Sequence, residues 1–199
     1  MAAVFRRIAQ LGMLTAMTVT LSGCGINTIP TQEENVKAKW GDVENQYQRR
    51  ADLIPNLVAT VKGFAAQERE VLEAVTRARA SATQVTVDPT KLSDPAQIAA
   101  FEQAQGQVGS ALGRLLVTVE KYPELRSNEN FLQLQSQLEG TENRITVSRR
   151  DYNQAVQAYN TEIRTFPAII AAKVIYGAEP IAPFKATTAN AQTAPAVAF

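Results

Sequence analysis

Histidine is absent from this 199-residue sequence, and cysteine occurs once. Without histidine the chain lacks the commonest general base and the commonest zinc ligand, and a lone cysteine closes no internal disulfide. Ser-His-Asp and Cys-His machinery is therefore excluded, and a di-metal carboxylate bundle is left without its Glu-x-x-His ligands. An excess of charge of one sign is missing too: 20 Lys+Arg stand against 19 Asp+Glu, and Arg6 and Arg7 fall in the N-terminal segment. So balanced a surface has no general pull on nucleic acid or acidic lipid, and no nucleic-acid partner is expected. No cofactor is expected either, and no stretch alternates as a strand would.

What is there begins with "MAAVFRRIAQLGMLTAMTVTLSGC". A short basic region precedes a mostly apolar stretch from Ile8 to Leu21, short for a bilayer-spanning helix and ending in small residues, the pattern of an export signal. Leu21-Ser22-Gly23-Cys24 is similar to the bacterial lipobox. The resemblance implies a lipoprotein signal peptide over residues 1–23 and cleavage before Cys24. It implies diacylglycerol on the Cys24 sulfur, an N-acyl chain such as palmitate, and a tether over residues 24–32. Acyl chains anchor at about 0.8 kcal/mol per buried methylene, so three would hold the protein firmly. Gly25 after the cysteine, in place of an aspartate, favours the periplasmic face of the outer membrane in a Gram-negative host. The plainer alternative is an uncleaved signal anchor whose cysteine is incidental.

Beyond the tether, apolar residues recur at helical spacing in three long runs. The first carries Trp40, Tyr47, Ile54, Val61 and Val75 at multiples of seven, interrupted by Arg50 and Glu68. Asp52 could cap a new helix with Pro55 in its first turn, which predicts a break or kink there without loss of phase. The second run opens at Asp94-Pro95 and continues through Ile98, Phe101, Val108, Leu112, Leu115 and Val119. Gly106, Gly109, Ser110 and Gly113 within it predict a closely approaching neighbour helix. The third run, from Asn128 to Phe166, has Phe131, Leu138, Ile145, Tyr152, Tyr159 and Phe166 seven apart, and Pro167 ends it. "AIIAAKVIYG" then reads as a short docked helix, and residues 185–199 as a disordered tail. One such helix cannot hide its stripe alone. The expectation is an all-α fold: an elongated antiparallel up-and-down helical bundle of three to four long helices over residues 33–184.

Polar residues beside the stripes are the candidate sites. Tyr152-Asn153 repeats as Tyr159-Asn160, so Asn143, Asn153 and Asn160 either line a groove that binds a partner's backbone or hydrogen-bond across helices. Arg50 and Glu68 occupy core phases where an unpaired charge is costly, which predicts pairing with the third run, where Glu139, Glu142, Arg149 and Arg150 lie near in phase. Asp52 and Asn56 are expected to shape the kink.

Three strings carry a family resemblance: "RRADLIPNLVATVKGFAAQEREVLEAVTRARA", "YPELRSNENFLQLQSQLEGTENRI" and "SRRDYNQAVQAYNTEIRTFP". They resemble the signature blocks of the LemA family of bacterial envelope proteins, over residues 32 to 184. The resemblance implies a helical bundle exposed outside the cytoplasm and tied to a membrane at its N-terminus, with no established catalytic residues or cofactor. The lipobox departs from the uncleaved transmembrane helix of many members. The expected function is that of a non-catalytic interaction or scaffold module that meets an envelope protein or the cell wall. Two alternatives remain open: a ligand carrier or enzyme with a polar inter-helix pocket, and membrane shaping by Ala168 to Tyr176.

Overall fold

A computed structural model of the chain describes residues 26–185. The expected signal peptide, Cys24 and the tail beyond Lys185 lie outside the described residues.

The helices are α1 (Thr28–Phe64), α2 (Arg69–Gln84), α3 (Pro95–Val119), α4 (Pro123–Arg126), α5 (Glu129–Glu162) and α6 (Ala168–Ala171). A π-helical turn, Ala172–Tyr176, continues α6, and no strand occurs among the described residues. Two starts carry side-chain caps, the one at Asp94 as read in the sequence and a second at Asn128, where the third run was read to begin. Asp94 accepts from the Ala96 N–H at 2.9 Å with Pro95 in the first turn, and Asn128 accepts from the Phe131 N–H at 3.1 Å. Helix α1 begins earlier than expected, at Thr28 inside the supposed tether, because Ile29 is already buried in the core.

The chain runs up, down, up and down through α1, α2, α3 and α5, and the expected all-α bundle is the fold observed. Cross-helix bonds set the directions: Arg79 of α2 reaches Ala51 of α1, while Arg50 of α1 reaches both Gln105 of α3 and Glu142 of α5. The two longest helices, α1 with 37 residues and α5 with 34, lie along each other and extend for about 50 Å at 1.5 Å per residue.

Of the break or kink predicted near Asp52, the break does not occur there. Helix α1 passes Pro55 without interruption, and the chain turns at Ala65–Glu68 instead. A proline inside a helix removes the N–H that would bond the carbonyl four residues back. For Pro55 that carbonyl belongs to Ala51, and the Arg79 Nε donates to it at 2.7 Å. A side chain from the next helix thus replaces the missing backbone donor, and the helix continues.

The core has two parts. Near the α1–α2 turn, Ile54, Leu57, Val61, Val75, Leu115 and Phe131 pack among four helices. At the other end α2 has already stopped at Gln84, and the fourth wall is irregular chain. There Val87 and Leu92 from the α2–α3 connection and Ile181 and Phe184 from the C-terminal segment cover Trp40, Tyr152 and Tyr159.

The glycines of α3 are not at a helix contact. A methyl group added to Gly106, Gly109 or Gly113 would meet nothing within 4 Å. Gly106 and Gly109 face an open groove shared with Ala74, Ala78 and Ser81 of α2, so the close approach expected at these glycines is absent.

Candidate functional site: a backbone-gripping groove on α5

Asn153 and Asn160 lie seven residues apart, two turns of one helix face, or about 10.5 Å. Three residues of extended chain cover about 10 Å. The C-terminal segment exploits this match. The Asn160 side chain donates to the Ile181 carbonyl and accepts from the Ile181 N–H, both at 2.9 Å. Asn153 repeats the arrangement three residues along, donating to the Phe184 carbonyl at 3.1 Å and accepting from its N–H at 2.8 Å. Each asparagine thus reads a full peptide edge, which an amide can do because it carries a donor and an acceptor side by side.

Four further main-chain groups of the segment are also bonded. The Ala182 carbonyl accepts from Tyr152 Oη at 3.0 Å, and the Ala182 N–H donates to the Leu92 carbonyl at 3.1 Å. Arg149 donates to the Lys185 carbonyl at 2.8 Å, while the Lys185 N–H donates to Glu102 Oε1 at 3.1 Å. Arg149 and Glu102 are themselves paired at 2.9 Å, with their side chains 21% and 13% exposed. Pro183 brings no N–H, so residues 181–185 leave no peptide N–H unused.

Side-chain recognition comes from one aromatic pocket. Phe184 stacks on Trp40 with ring centroids 5.5 Å apart and meets Tyr152 edge-on at 5.2 Å. The Arg149 guanidinium lies 4.7 Å from the Phe184 centroid, a cation–π position. Burial pushes the Tyr152 hydroxyl upward, so it stays protonated and able to donate. Gly177, at φ 57°, ends the π turn, and the Ala178 N–H bonds the Ala172 carbonyl six residues back at 2.9 Å, turning the chain onto α5.

Of the residues singled out in the sequence, Arg149, Asn153 and Asn160 come together in this groove. Asn143 is exposed and lies apart from it. Arg50 is 4% exposed and sits where the two cores meet, bonded to Glu142 at 2.9 Å and to the Gln105 carbonyl at 3.1 Å, as pairing with the third run required. Glu68 did not follow that expectation: it lies at the α1–α2 turn and accepts from the Tyr122 hydroxyl at 2.7 Å. Asp52 caps nothing and accepts from Gln48 one turn back at 2.7 Å, and Asn56 is exposed.

Glu102, Arg79 and the role of Tyr152 as a donor were not read from sequence. Pro55 was the signal for Arg79, since an uninterrupted helix through a proline requires a substitute donor. Beside Arg50, Glu44, Arg79 and Gln105 line a cleft of about 110 Å³ with a single carboxylate, below the roughly 300 Å³ at which small-molecule sites begin. Among the described residues no three of Asp, Glu and Cys gather as metal ligands would.

Residues 39–199 match the sequence profile of the LemA family. This chain belongs to the LemA family. The match reaches beyond Phe184, where the sequence blocks were read to stop, and it includes every residue of the α5 groove. The LemA-family chain is 31% identical over 157 residues to magnetosome protein MamQ 2 of Paramagnetospirillum magneticum, covering 71% of itself and 58% of that relative. It is 28% identical over 176 residues to magnetosome protein MamQ of Magnetospirillum gryphiswaldense, covering 80% of itself and 64% of the relative. To protein LemA of Metamycoplasma hominis it is 29% identical over 119 residues, 60% of this chain and 50% of the other. The chain thus spans between half and two thirds of the length of these relatives.

Proposed function

We propose that this LemA-family chain is a non-catalytic interaction module of the cell envelope, held to a membrane by lipid on Cys24, that binds extended peptide segments along α5. One observation carries the reading: residues 181–185 are held on α5 mainly through their main chain, by Asn153, Asn160, Tyr152 and Arg149, the last two of which also line the pocket of Phe184. Main-chain hydrogen bonds supply affinity that tolerates many sequences, and the pocket for one aromatic side chain adds selectivity. Residues 181–185 are the resident occupant, so a segment of an envelope partner enters by displacing them. No cofactor takes part, and the near-neutral charge supports a protein or cell-wall partner over nucleic acid. In a Gram-negative host the lipobox supports the periplasmic face of the outer membrane.

The test uses the full chain in cells, with fatty-acid labelling and a photo-crosslinking amino acid at Gln157, an exposed position beside the groove. Lipid label should appear on the wild type and vanish in Cys24→Ser. Crosslinks from position 157 to an envelope component should be lost in Asn153→Ala/Asn160→Ala. An unlabelled wild type overturns the anchor, and adducts indifferent to the two asparagines overturn the groove.

A further inference from the structure

Nine large apolar side chains stand exposed among the described residues, and five of them fall in eleven consecutive positions. Phe166 is 81% exposed and Val174 78%, with Ile170, Ile175 and Tyr176 beside them. The same short segment is docked by its other face, through the buried Ala168, Ala171 and Ala172. It therefore presents a fixed apolar ridge to the outside.

Position says what covers it. Arg164 and Lys173 are exposed beside the apolar side chains, and Glu162 and Glu179 border the segment on either side, so the charge around the ridge is mixed. The ridge sits at the end of the bundle where the described chain begins. Ala168 and Ala172 share a core with Ile29, and Ile26 packs against that core. Ile26 follows Cys24 by two residues, a stretch of chain that reaches at most about 7 Å. A fixed apolar ridge bordered by charges of both signs, next to the point where the chain is tethered, has the chemistry of a surface lying in the headgroup boundary of a bilayer.

We propose that the Phe166–Tyr176 ridge is a second membrane contact, which seats the anchored end of the bundle in the lipid interface and fixes its orientation. The ridge needs the tether only for its position, and the experiment separates the two. The full-length protein is reconstituted into vesicles containing phosphatidylglycerol, with a polarity-sensitive fluorophore on Val174→Cys or, for comparison, on Val117→Cys. Val117 is 70% exposed on α3, near the opposite end. The mass of the same sample reports whether Cys24 carries lipid.

The position-174 probe should shift to the blue and lose most of its emission to lipid-borne quenchers, while the position-117 probe does neither. Phe166→Ser/Ile175→Ser should abolish that difference without altering the thermal unfolding of the helices. Equal behaviour of the two probes overturns the proposal, whether or not lipid is found on Cys24. A missing lipid with strong quenching at 174 sinks the anchor reading and leaves the ridge standing.

Discussion

Single residues in this bundle act mainly by completing hydrogen-bond accounts that the backbone leaves open. Arg79 is the clearest case, since its Nε serves the Ala51 carbonyl that Pro55 orphans. Arg79→Ala should lower stability by about 1–2 kcal/mol, the cost of a poorly satisfied carbonyl. In a Pro55→Ala background the new N–H can serve Ala51, so the same change should cost about 1 kcal/mol less, read as the coupling in a urea-unfolding double-mutant cycle. Purely additive effects would show that Arg79 acts some other way. Glu44 gives a pH prediction. Burial pushes its carboxyl above the ordinary range, so the folded state holds that proton more tightly than the unfolded chain does. Its contribution is favourable at low pH and declines as pH rises from the ordinary carboxylate range through the folded value. Glu44→Gln should therefore be at least as stable as wild type at neutral pH and should remove that part of the pH slope in thermal melts.

At the scale of elements, propensity and packing can be told apart on α3. Its glycines looked like a close helix contact, yet an added Cβ would be in open space at Gly106, Gly109 and Gly113. Each glycine therefore costs helix stability with no packing return, and Gly109→Ala should stabilise the protein by about 0.5–1 kcal/mol. A destabilised variant would mean that the α2–α3 groove closes in solution. The start of α5 is a second element-scale case. Asn128 supplies the side-chain cap, and Asn128→Ala should cost about 1 kcal/mol, measured by chemical unfolding.

The whole molecule is a four-helix bundle at one end and, at the other, the helices α1, α3 and α5 closed by irregular chain and a C-terminal strap. Replacing both Asn153 and Asn160 by alanine should free that strap while α1 and α5 remain paired. Amide exchange at Ile181, Phe184 and Lys185 should accelerate, and the emission of Trp40, the only tryptophan, should move to the red as Phe184 leaves its ring. Unchanged exchange and emission would show that the aromatic pocket holds the strap without the asparagines.

Much of this architecture was legible in the sequence because it rests on local patterns. Heptad spacing of Trp40, Tyr47, Ile54 and Val61 and of Phe131 through Tyr159 marks the buried faces. Asp94 and Asn128 mark two helix starts, and Arg50 in a core phase demanded the partner that Glu142 provides. Family membership was legible for the same reason, in contiguous strings. What the tertiary structure alone decided depends on residues distant in the chain. Whether Pro55 breaks a helix turned on Arg79, 24 positions away. Whether Asn153 and Asn160 bridge helices or hold an extended peptide turned on α2 ending too early to wall one end of the bundle. A one-dimensional pattern records which face of a helix is apolar, but not which long-range partner arrives to cover it.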